Sequence, residues 1–183
     1  AGVGQNYIDK RPTVDIIQDN TGQVLLEDEL IYVKNFRLQG AQSAYTLGLS
    51  YQIARYWYIN LNGNYFDHLY LDYNPLRRTV DAVEGLDRTS DFYFDVLRQE
   101  RLDPGFTLDF FGGGSIKIND YFLRINVGVN NLLDNRELIT GGFEQTRLAT
   151  RENSNAVEDL GQFPSRYFYA YGTNYFVNVA LQF

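Results

Sequence analysis

Residues 165–183 read SRYFYAYGTNYFVNVALQF and alternate between two classes of side chain up to the last position. One class is largely apolar, and it comprises Tyr171, Thr173, Tyr175, Val177, Val179, Leu181 and Phe183. The intervening positions hold small residues and amides, with Phe176 as the exception. A period of two predicts a β-strand with one apolar and one polar face. Taken alone, this strand is also consistent with a soluble sheet that buries its apolar face.

Composition limits the functional classes that need to be considered. The 183 residues include 15 Tyr and 13 Phe but no Cys and no Met. The absence of Cys excludes disulfides and thiol chemistry. The net charge of -7 argues against a nucleic-acid partner, because phosphate binding needs a basic surface. No apolar run is long enough for a membrane-spanning helix. The lack of Met predicts that Ala1 is a processed end or the start of a fragment.

Two segments of the chain predict β-hairpins with short turns. In residues 44–53 (AYTLGLSYQI) every second side chain is apolar, and the same alternation continues in residues 57–66 after a tight connection at 54–56. The second hairpin joins GFTLDFFGGGSIKI to YFLRINVGVN through Asn119 and Asp120. Ile118 and Tyr121 then face the same way, as a two-residue loop requires. The glycines at 112–114 suggest a β-bulge in the first arm of this hairpin.

The remaining connections are long and polar. They span roughly residues 10–40, 73–103 and 136–164 and hold most of the acidic side chains. Within the first, GQVLLEDE followed by LIYVKNFRL predicts a small separate hairpin. Residues 1–9 are interpreted as the end of an earlier strand, which brings the total to about six strands. Short turns at one end and long loops at the other are typical of an outer-membrane β-barrel.

The predicted polar faces favour a barrel lumen over a solvated surface. Amides, glycines and small hydroxyls dominate these faces, with Phe and Tyr interspersed and hardly any Lys or Glu. A solvated face is usually richer in charge. Trp57, Tyr121 and Phe183 fall at the ends with short turns, where an aromatic girdle would meet the membrane interface. The sequence therefore predicts an all-β, antiparallel transmembrane barrel segment.

Three stretches carry a resemblance to a known family. INVGVNNLLDNRELITGGFEQ and FPSRYFYAYGTNYFVNVALQF resemble the last two strands of TonB-dependent outer-membrane receptors. YWYINLNGNYFDHLYLDYNPLRRT resembles the branch with an N-terminal carboxypeptidase-regulatory-like domain. The resemblance implies a barrel of about 22 strands, of which residues 1–183 would be the C-terminal quarter. The plug and the energy-coupling box of the family have no counterpart in this sequence.

The resemblance also implies a function, a location and a set of partners. The outer loops would capture a scarce solute, and TonB would act on the plug to admit it, without covalent chemistry or a cofactor. The location would be the outer membrane of a Gram-negative cell. The partners would be the rest of the receptor, TonB through the N-terminal region, outer-membrane lipid and, in some receptors, a surface lipoprotein. A passive or adhesive barrel and a soluble, aromatic-rich β module that binds glycans are the alternatives.

Residues with catalytic or metal-binding chemistry are sparse. His68 could ligate haem or a metal, although a solvated or hydrogen-bonded histidine is the simpler interpretation. The acidic residues at 27–29 could bind Ca²⁺ or only solvate their loop. GGGSIK lacks the spacing of a phosphate-binding loop, so its glycines indicate close packing in a strand. Asp109 and Arg124, both on a polar face, could contact a plug or each other.

The predicted ligand-binding residues lie in the two long loops at 73–103 and 136–164. These loops combine aromatic side chains, which supply contact area, with charged groups that orient a polar solute. The predicted set is Tyr73, Arg77, Arg78, Phe92, Tyr93, Phe143, Glu144 and Arg147. The alternative is that the loops only cap the barrel and interlock with one another.

Overall fold

The computed structural model describes residues 1–145 and 164–183, and most of them belong to antiparallel β-sheet. The predicted all-β class is confirmed. The strands are β1 (Gly2–Val3), β2 (Thr13–Ile17), β3 (Val24–Leu30), β4 (Gly40–Ala54), β5 (Trp57–Tyr70), β6 (Arg101–Leu102), β7 (Gly105–Ile118), β8 (Tyr121–Asn130), β9 (Ile139–Phe143), β10 (Arg166–Tyr169) and β11 (Asn174–Gln182). The helical elements are a 3₁₀ turn (Pro75–Arg78), α1 (Val80–Val83) and α2 (Asp91–Leu97). No helix among the described residues is long and apolar enough to cross a membrane.

The main sheet is a meander whose strands follow one another in chain order. Its order is β1-β4-β5-β7-β8-β11, every neighbouring pair is antiparallel, and the short β6 adds to β5. Short turns at residues 55–56 and 119–120 join β4 to β5 and β7 to β8, so both predicted hairpins are present. Asn119 adopts a positive φ of 56° in the second turn. We call this end of the sheet the turn end and the opposite end the loop end.

The glycines at 112–114 do not form the expected bulge. Gly112 pairs with Val127 and Gly114 with Ile125 in an unbroken register. The reason for the glycines is close packing instead, because a Cβ at Gly114 would overlap the ring of Trp57 on the neighbouring strand. A register shift in the main sheet occurs elsewhere, between Gln52 and Ala54 beside the first short turn.

The prediction of a small hairpin in the first long connection is wrong about which two segments form it. The structure pairs β2 with β3, so GQVLLEDE supplies the second arm rather than the first. The turn lies at DNTG, where Gly22 has a φ of 66° and its N–H donates to the carbonyl of Gln18 at 2.8 Å. Only glycine adopts this left-handed conformation without steric cost. The segment that follows, LIYVKNFRL, forms no extended strand and instead buries Ile31, Val33 and Phe36.

The two faces of the sheet differ in chemistry, and the register confirms the predicted alternation. Apolar residues of β4, β5, β7, β8 and β11 line one surface, which we call the apolar face, and the amides line the polar face. The apolar face is bare, since Leu47 is 73% exposed and Val179 is 61% exposed. The buried hydrophobic residues lie at the loop end, in one cluster around Val33 and another around Leu71.

Both edges of the sheet remain open within the described residues. At one edge β1 covers only two positions of β4, through the pairs Gly2 with Ala44 and Val3 with Ser43. At the other edge β11 pairs with β8 alone. The sheet therefore does not close into a barrel over the part of the chain that the structure describes.

Candidate functional site

Hydrogen bonds between side chains run across the polar face of the sheet. The central residue is Asn64 on β5, whose Nδ2 donates to Oδ2 of Asp109 at 2.8 Å and to Oγ1 of Thr107 at 3.3 Å. The hydroxyl of Thr46 donates to Oδ1 of Asn64 at 2.9 Å. One amide therefore links β4, β5 and β7. Polar side chains that hydrogen-bond to one another are typical of enclosed surfaces, where bulk water does not supply the partners.

A row of aromatic rings lies on the same polar face. Phe111 on β7 lies between Tyr58 and Phe176, with ring centroids 5.9 and 6.0 Å away. Gly128 on the intervening strand β8 makes room for this row, because a Cβ there would overlap the Phe176 ring. Tyr58 also donates its hydroxyl proton to Oδ1 of Asn126 at 3.1 Å. The aromatic residues of the polar face thus form a packed element across three strands.

The NLLDN segment at the loop end ties three strands together. Asn131, with a φ of 51°, donates its backbone N–H to Oδ1 of Asp109 at 2.9 Å and its Nδ2 to the carbonyl of Tyr171 at 2.9 Å. Oδ1 of Asp134 accepts the backbone N–H of Thr173 at 2.8 Å and Nε of Arg136 at 3.0 Å. These bonds, led by the Thr173 amide, lower the pKa of Asp134 below its ordinary value. The segment fixes the position at which β11 enters the sheet.

A buried ion pair joins the second and third long connections. Arg78, at the end of the 3₁₀ turn, is 1% exposed, and its two Nη atoms donate to the two carboxylate oxygens of Glu144 at 2.5 and 2.7 Å. The same guanidinium donates to the carbonyls of Asn74 and Arg98, each at 3.0 Å. Cζ of Arg78 lies over the Phe36 ring, 4.8 Å from its centroid. Phe36 belongs to the first connection, so all three connections meet at Arg78.

The local structure around Arg78 positions its guanidinium for the ion pair with Glu144. Asn74 caps the 3₁₀ turn by accepting the N–H of Leu76 at 3.0 Å, and its own N–H donates to Oε2 of Glu144 at 2.8 Å. Pro75 follows the cap at the first helical position, where its missing N–H costs nothing. Tyr73 packs edge-on against Phe36, with centroids 5.3 Å apart, and partial burial raises the pKa of its hydroxyl.

Further side chains interlock the same connections. Gln99 exchanges two hydrogen bonds with the backbone of Arg37, at 2.6 and 2.7 Å, and so ties the first connection to the second. Gln39 donates to the carbonyl of Gly142 at 2.9 Å and ties the first to the third. Tyr167 on β10 donates to Oε1 of Glu100 at 2.5 Å, and this bond is the main reason that the Tyr167 pKa is raised. Interlocking, one alternative for these loops, is therefore a property of the structure.

The predicted ligand-binding residues fall into separate groups. Arg78 and Glu144 come together, but in a buried pair that does not face solvent. Tyr73 is half-buried, and burial lowers the pKa of the half-buried Arg77. Phe92 and Tyr93 are half-buried on α2, and Phe143 is exposed on β9. Arg147 lies outside the described residues. Ligand binding by this set stays a prediction.

Exposed aromatic residues that the sequence did not single out lie beside this set. Phe168 on β10 contacts Phe143 on β9, with ring centroids 5.9 Å apart, and both rings are exposed. Phe94 on α2 is 58% exposed next to Tyr93. The sequence signal for Phe94 was available, since it follows Phe92 and Tyr93 directly. Phe168 could not be paired with Phe143 from the sequence, because the contact depends on the pairing of β9 with β10.

The other residues with candidate metal-binding or polar-contact roles do not come together in a site among the described residues. No group of three or more potential metal-ligating side chains occurs there. His68 is exposed beside Asp67, with Nδ1 and Oδ2 3.4 Å apart. The acidic residues at 27–29 lie within β3, and Oε1 of Glu29 accepts the N–H of Asp81 at 3.3 Å. Asp109 and Arg124 do not meet, since Asp109 bonds to Asn64 and Asn131 while Arg124 pairs with Ser115.

Comparison with known proteins does not identify a family or a function for this chain. No protein-family model matches the chain, and no curated protein or solved structure is significantly similar to it. The functional inference therefore depends on the sheet and on the loop contacts described above.

Proposed function

We propose that the chain forms part of the transmembrane β-barrel of a TonB-dependent outer-membrane receptor, which imports a scarce solute. The observation that carries this proposal is the bare apolar face of the main sheet. Leu47, Leu49 and Tyr51 on β4 and Val177, Val179 and Leu181 on β11 are all more than half exposed. Soluble monomers rarely expose contiguous apolar patches larger than a few hundred Å². Hydrocarbon is the environment in which such a face is stable.

The polar face supports the same placement. Its amides and hydroxyls bond to one another across the strands, and its charges are few. A lumen that is filled by protein or bound water favours this composition, whereas a surface in bulk water usually carries more Lys and Glu. The contrast between the two faces supports the proposal that the sheet separates lipid from an enclosed interior.

The open edges explain why further strands are needed. Unpaired backbone groups are costly in hydrocarbon, so a spanning sheet must close on itself. The smallest outer-membrane barrels have about eight strands, which is more than the meander provides. We assign the missing strands, together with the plug, to other parts of the receptor. The import mechanism then follows the family pattern, in which the loops bind the solute and TonB acts on the plug.

The proposal is tested by the solution behaviour of residues 1–183. Without detergent, the bare apolar face and the open edges should drive association, whereas detergent should disperse the chain and keep its β-structure. Light scattering and circular dichroism in matched buffers measure both. A monodisperse monomer in plain buffer would rule out the membrane placement and favour the soluble glycan-binding module. A passive or adhesive barrel would instead lack a plug domain in its reading frame.

A further inference from the structure

The two-stranded sheet of β9 and β10 has one face packed on the loops and one open face. Leu71 is buried, and a Cβ at Gly142 on β9 would come within 2.9 Å of its Cδ1, so Gly142 faces the cluster around Leu71. Tyr167 on β10 packs against the same cluster. Because side chains alternate along a strand, the residues next to Gly142 and Tyr167 belong to the opposite face. This face, which we call the outer face, holds Phe143, Arg166 and Phe168.

A carboxylate, a phenyl ring and a guanidinium form one row on the outer face. Asp72 forms a parallel bridge with Phe143, and Phe143 is paired with Arg166 on β10. Residues paired in this way project their side chains to the same side of a sheet. The exposed ring of Phe168 lies beside the centre of the row, with its centroid 5.9 Å from that of Phe143.

The two charges of this row have no side-chain partners among residues 1–145 and 164–183. Asp72 and Arg166 are both exposed, and neither side chain forms an ion pair or a hydrogen bond there. Neighbouring strands are about 5 Å apart, so the backbone positions of Asp72 and Arg166 are separated by about 10 Å. The outer face therefore presents one negative and one positive group on either side of an aromatic pair.

We infer that the outer face binds a short zwitterionic peptide, with the ammonium at Asp72, the carboxylate at Arg166 and an apolar side chain against Phe143 and Phe168. An extended chain spans at most about 3.5 Å per residue, so a peptide of about three residues matches the separation of the two charges. A guanidinium binds a carboxylate through two parallel hydrogen bonds, and an ammonium offers three donors to an aspartate. A simple anion or a simple cation would leave one of the two charges without a partner.

This binding site goes beyond the proposed function, because it needs only the loop end and not the membrane placement of the sheet. Aromatic rings supply contact area for an apolar side chain, and the two charges fix the direction in which the peptide lies. The site also differs in position from α2, since it is built from β9, β10 and the segment that follows β5.

Four versions of the tripeptide Ala-Phe-Ala test the two charges separately. The peptide is used with free termini, N-acetylated, C-amidated and with both ends blocked, and calorimetric titration of detergent-solubilised residues 1–183 measures the affinities. We expect the free peptide to bind best and each block to weaken binding by roughly threefold. Asp72→Asn should abolish the effect of acetylation and keep that of amidation, and Arg166→Gln should do the reverse. Asp19→Asn and Arg88→Gln, which remove exposed charges on other segments, should keep both effects.

The peptide versions and the variants give independent results. No binding, or equal affinity of the unmodified chain for all four versions, would overturn the peptide site and leave the membrane placement intact. An effect of acetylation that survives Asp72→Asn, or an effect of amidation that survives Arg166→Gln, would overturn it as well. Phe168→Ala should weaken all four versions by the same factor, and unchanged affinity would contradict the ring contact. If the chain is instead a monomer in plain buffer, the proposed function fails but the same titration in that buffer should still show peptide binding.

Discussion

Arg78 shows how one residue can organise the loop end. Removing a guanidinium and a carboxylate from water costs several kcal/mol for each ion, and the pair recovers this cost only through good geometry and further hydrogen bonds. Arg78 has both, since it bonds twice to Glu144 and also to two backbone carbonyls. The value of such a pair is therefore in fixing one arrangement of the loops, because any other arrangement leaves a buried charge without its partner.

Replacing one member of this ion pair should lower the free energy of unfolding more than replacing both. We expect Glu144→Ala to lower the free energy of unfolding by about 3 to 5 kcal/mol, because Arg78 would stay buried without a counter-charge. Arg78→Met combined with Glu144→Leu should cost much less, since no buried charge would remain. Urea unfolding of the detergent-solubilised protein measures both.

An exposed ion pair provides the matched control. Nη2 of Arg98, the residue that follows α2, lies 2.9 Å from Oδ1 of Asp95, and the two side chains are 76% and 51% exposed. Asp95→Ala should change the free energy of unfolding by no more than about 0.5 kcal/mol, because exposed pairs are weak. A similar loss for Asp95→Ala and Glu144→Ala would show that the Arg78 pair does not hold the loops.

Asp134 should make the free energy of unfolding depend on pH. Its lowered pKa means that the folded state favours the carboxylate, so its contribution is present above the unfolded value of about 3.9. The contribution is lost as the pH falls through the lower folded value. Asp134→Asn should therefore be less stable than the unmodified protein at neutral pH, and the difference should shrink in acid. Urea midpoints across the pH range measure it.

Asp103→Asn is the control for this pH effect. Asp103 is exposed and its side chain makes no hydrogen bond within the part of the chain that the structure describes. Its replacement should leave the urea midpoint nearly unchanged at every pH. A difference between Asp134→Asn and the unmodified protein that stays constant from neutral to acid pH would contradict the linkage.

Each strand places alternate side chains on opposite faces of the sheet, so neighbouring residues of one strand can be used to compare the two faces. Asn178 and Val179 are neighbours in β11, yet they lie on opposite faces of the sheet. If the apolar face lies in lipid, Val179→Lys should cost about 2 to 4 kcal/mol near the middle of the bilayer, and Asn178→Lys far less. Folding into lipid vesicles measures the difference. Equal costs at both positions would be incompatible with the assigned faces.

The elements that were predictable are those with an uninterrupted period of two. Both hairpins and β11 have this period over at least nine residues, and the register of each matches the expected faces. The arms of the β2–β3 hairpin differ from the prediction because LIYVKNFRL resembles a strand in its apolar pattern, whereas the turn lies earlier, at DNTG. The helices α1 and α2 are not predicted, because they are short and lie within a long polar connection, although Thr79 and Ser90 are ordinary N-cap residues.

The candidate site was predictable in composition but not in contacts. The residue types and the long loops predict Tyr73, Arg78 and Glu144 as site residues, and the structure brings all three into one region. The partnership of Arg78 with Glu144 spans 66 positions of sequence, and no local pattern encodes it. It depends on the parallel bridge between Asp72 and Phe143, which is itself a consequence of tertiary packing.

At the scale of the whole molecule, the sheet and the loops are stabilised in different ways. The loops have their own small clusters of buried residues, a buried ion pair and side chains that join all three connections. The central sheet has backbone hydrogen bonds but little burial on either face. The loops therefore form one interlocked unit, whereas the sheet is held mainly by hydrogen bonds between its strands.

Under the proposed function, this division predicts which part of the loops would recognise the solute. Residues 86–96 hold Phe92, Tyr93 and the exposed Phe94, but they do not include Arg98 or Gln99, which belong to the interlocked contacts. Replacing 86–96 by a short Gly-Ser linker in the complete receptor should abolish nutrient-limited growth that depends on it. Barrel assembly, measured as heat-modifiable mobility in gels, should be unchanged, because loops outside the hydrocarbon contribute little to insertion.

The same linker placed at the β2–β3 turn, residues 18–22, separates recognition from general damage to the loops. That turn is exposed and contains no aromatic side chain, so growth and gel mobility should both resemble those of the unmodified receptor. In the proposed import mechanism, recognition precedes movement of the plug, so a receptor that assembles without its solute-binding aromatic residues should show no uptake rather than slow uptake. Normal growth of a correctly assembled 86–96 replacement would move recognition to the exposed Phe143 and Phe168 pair or to the plug.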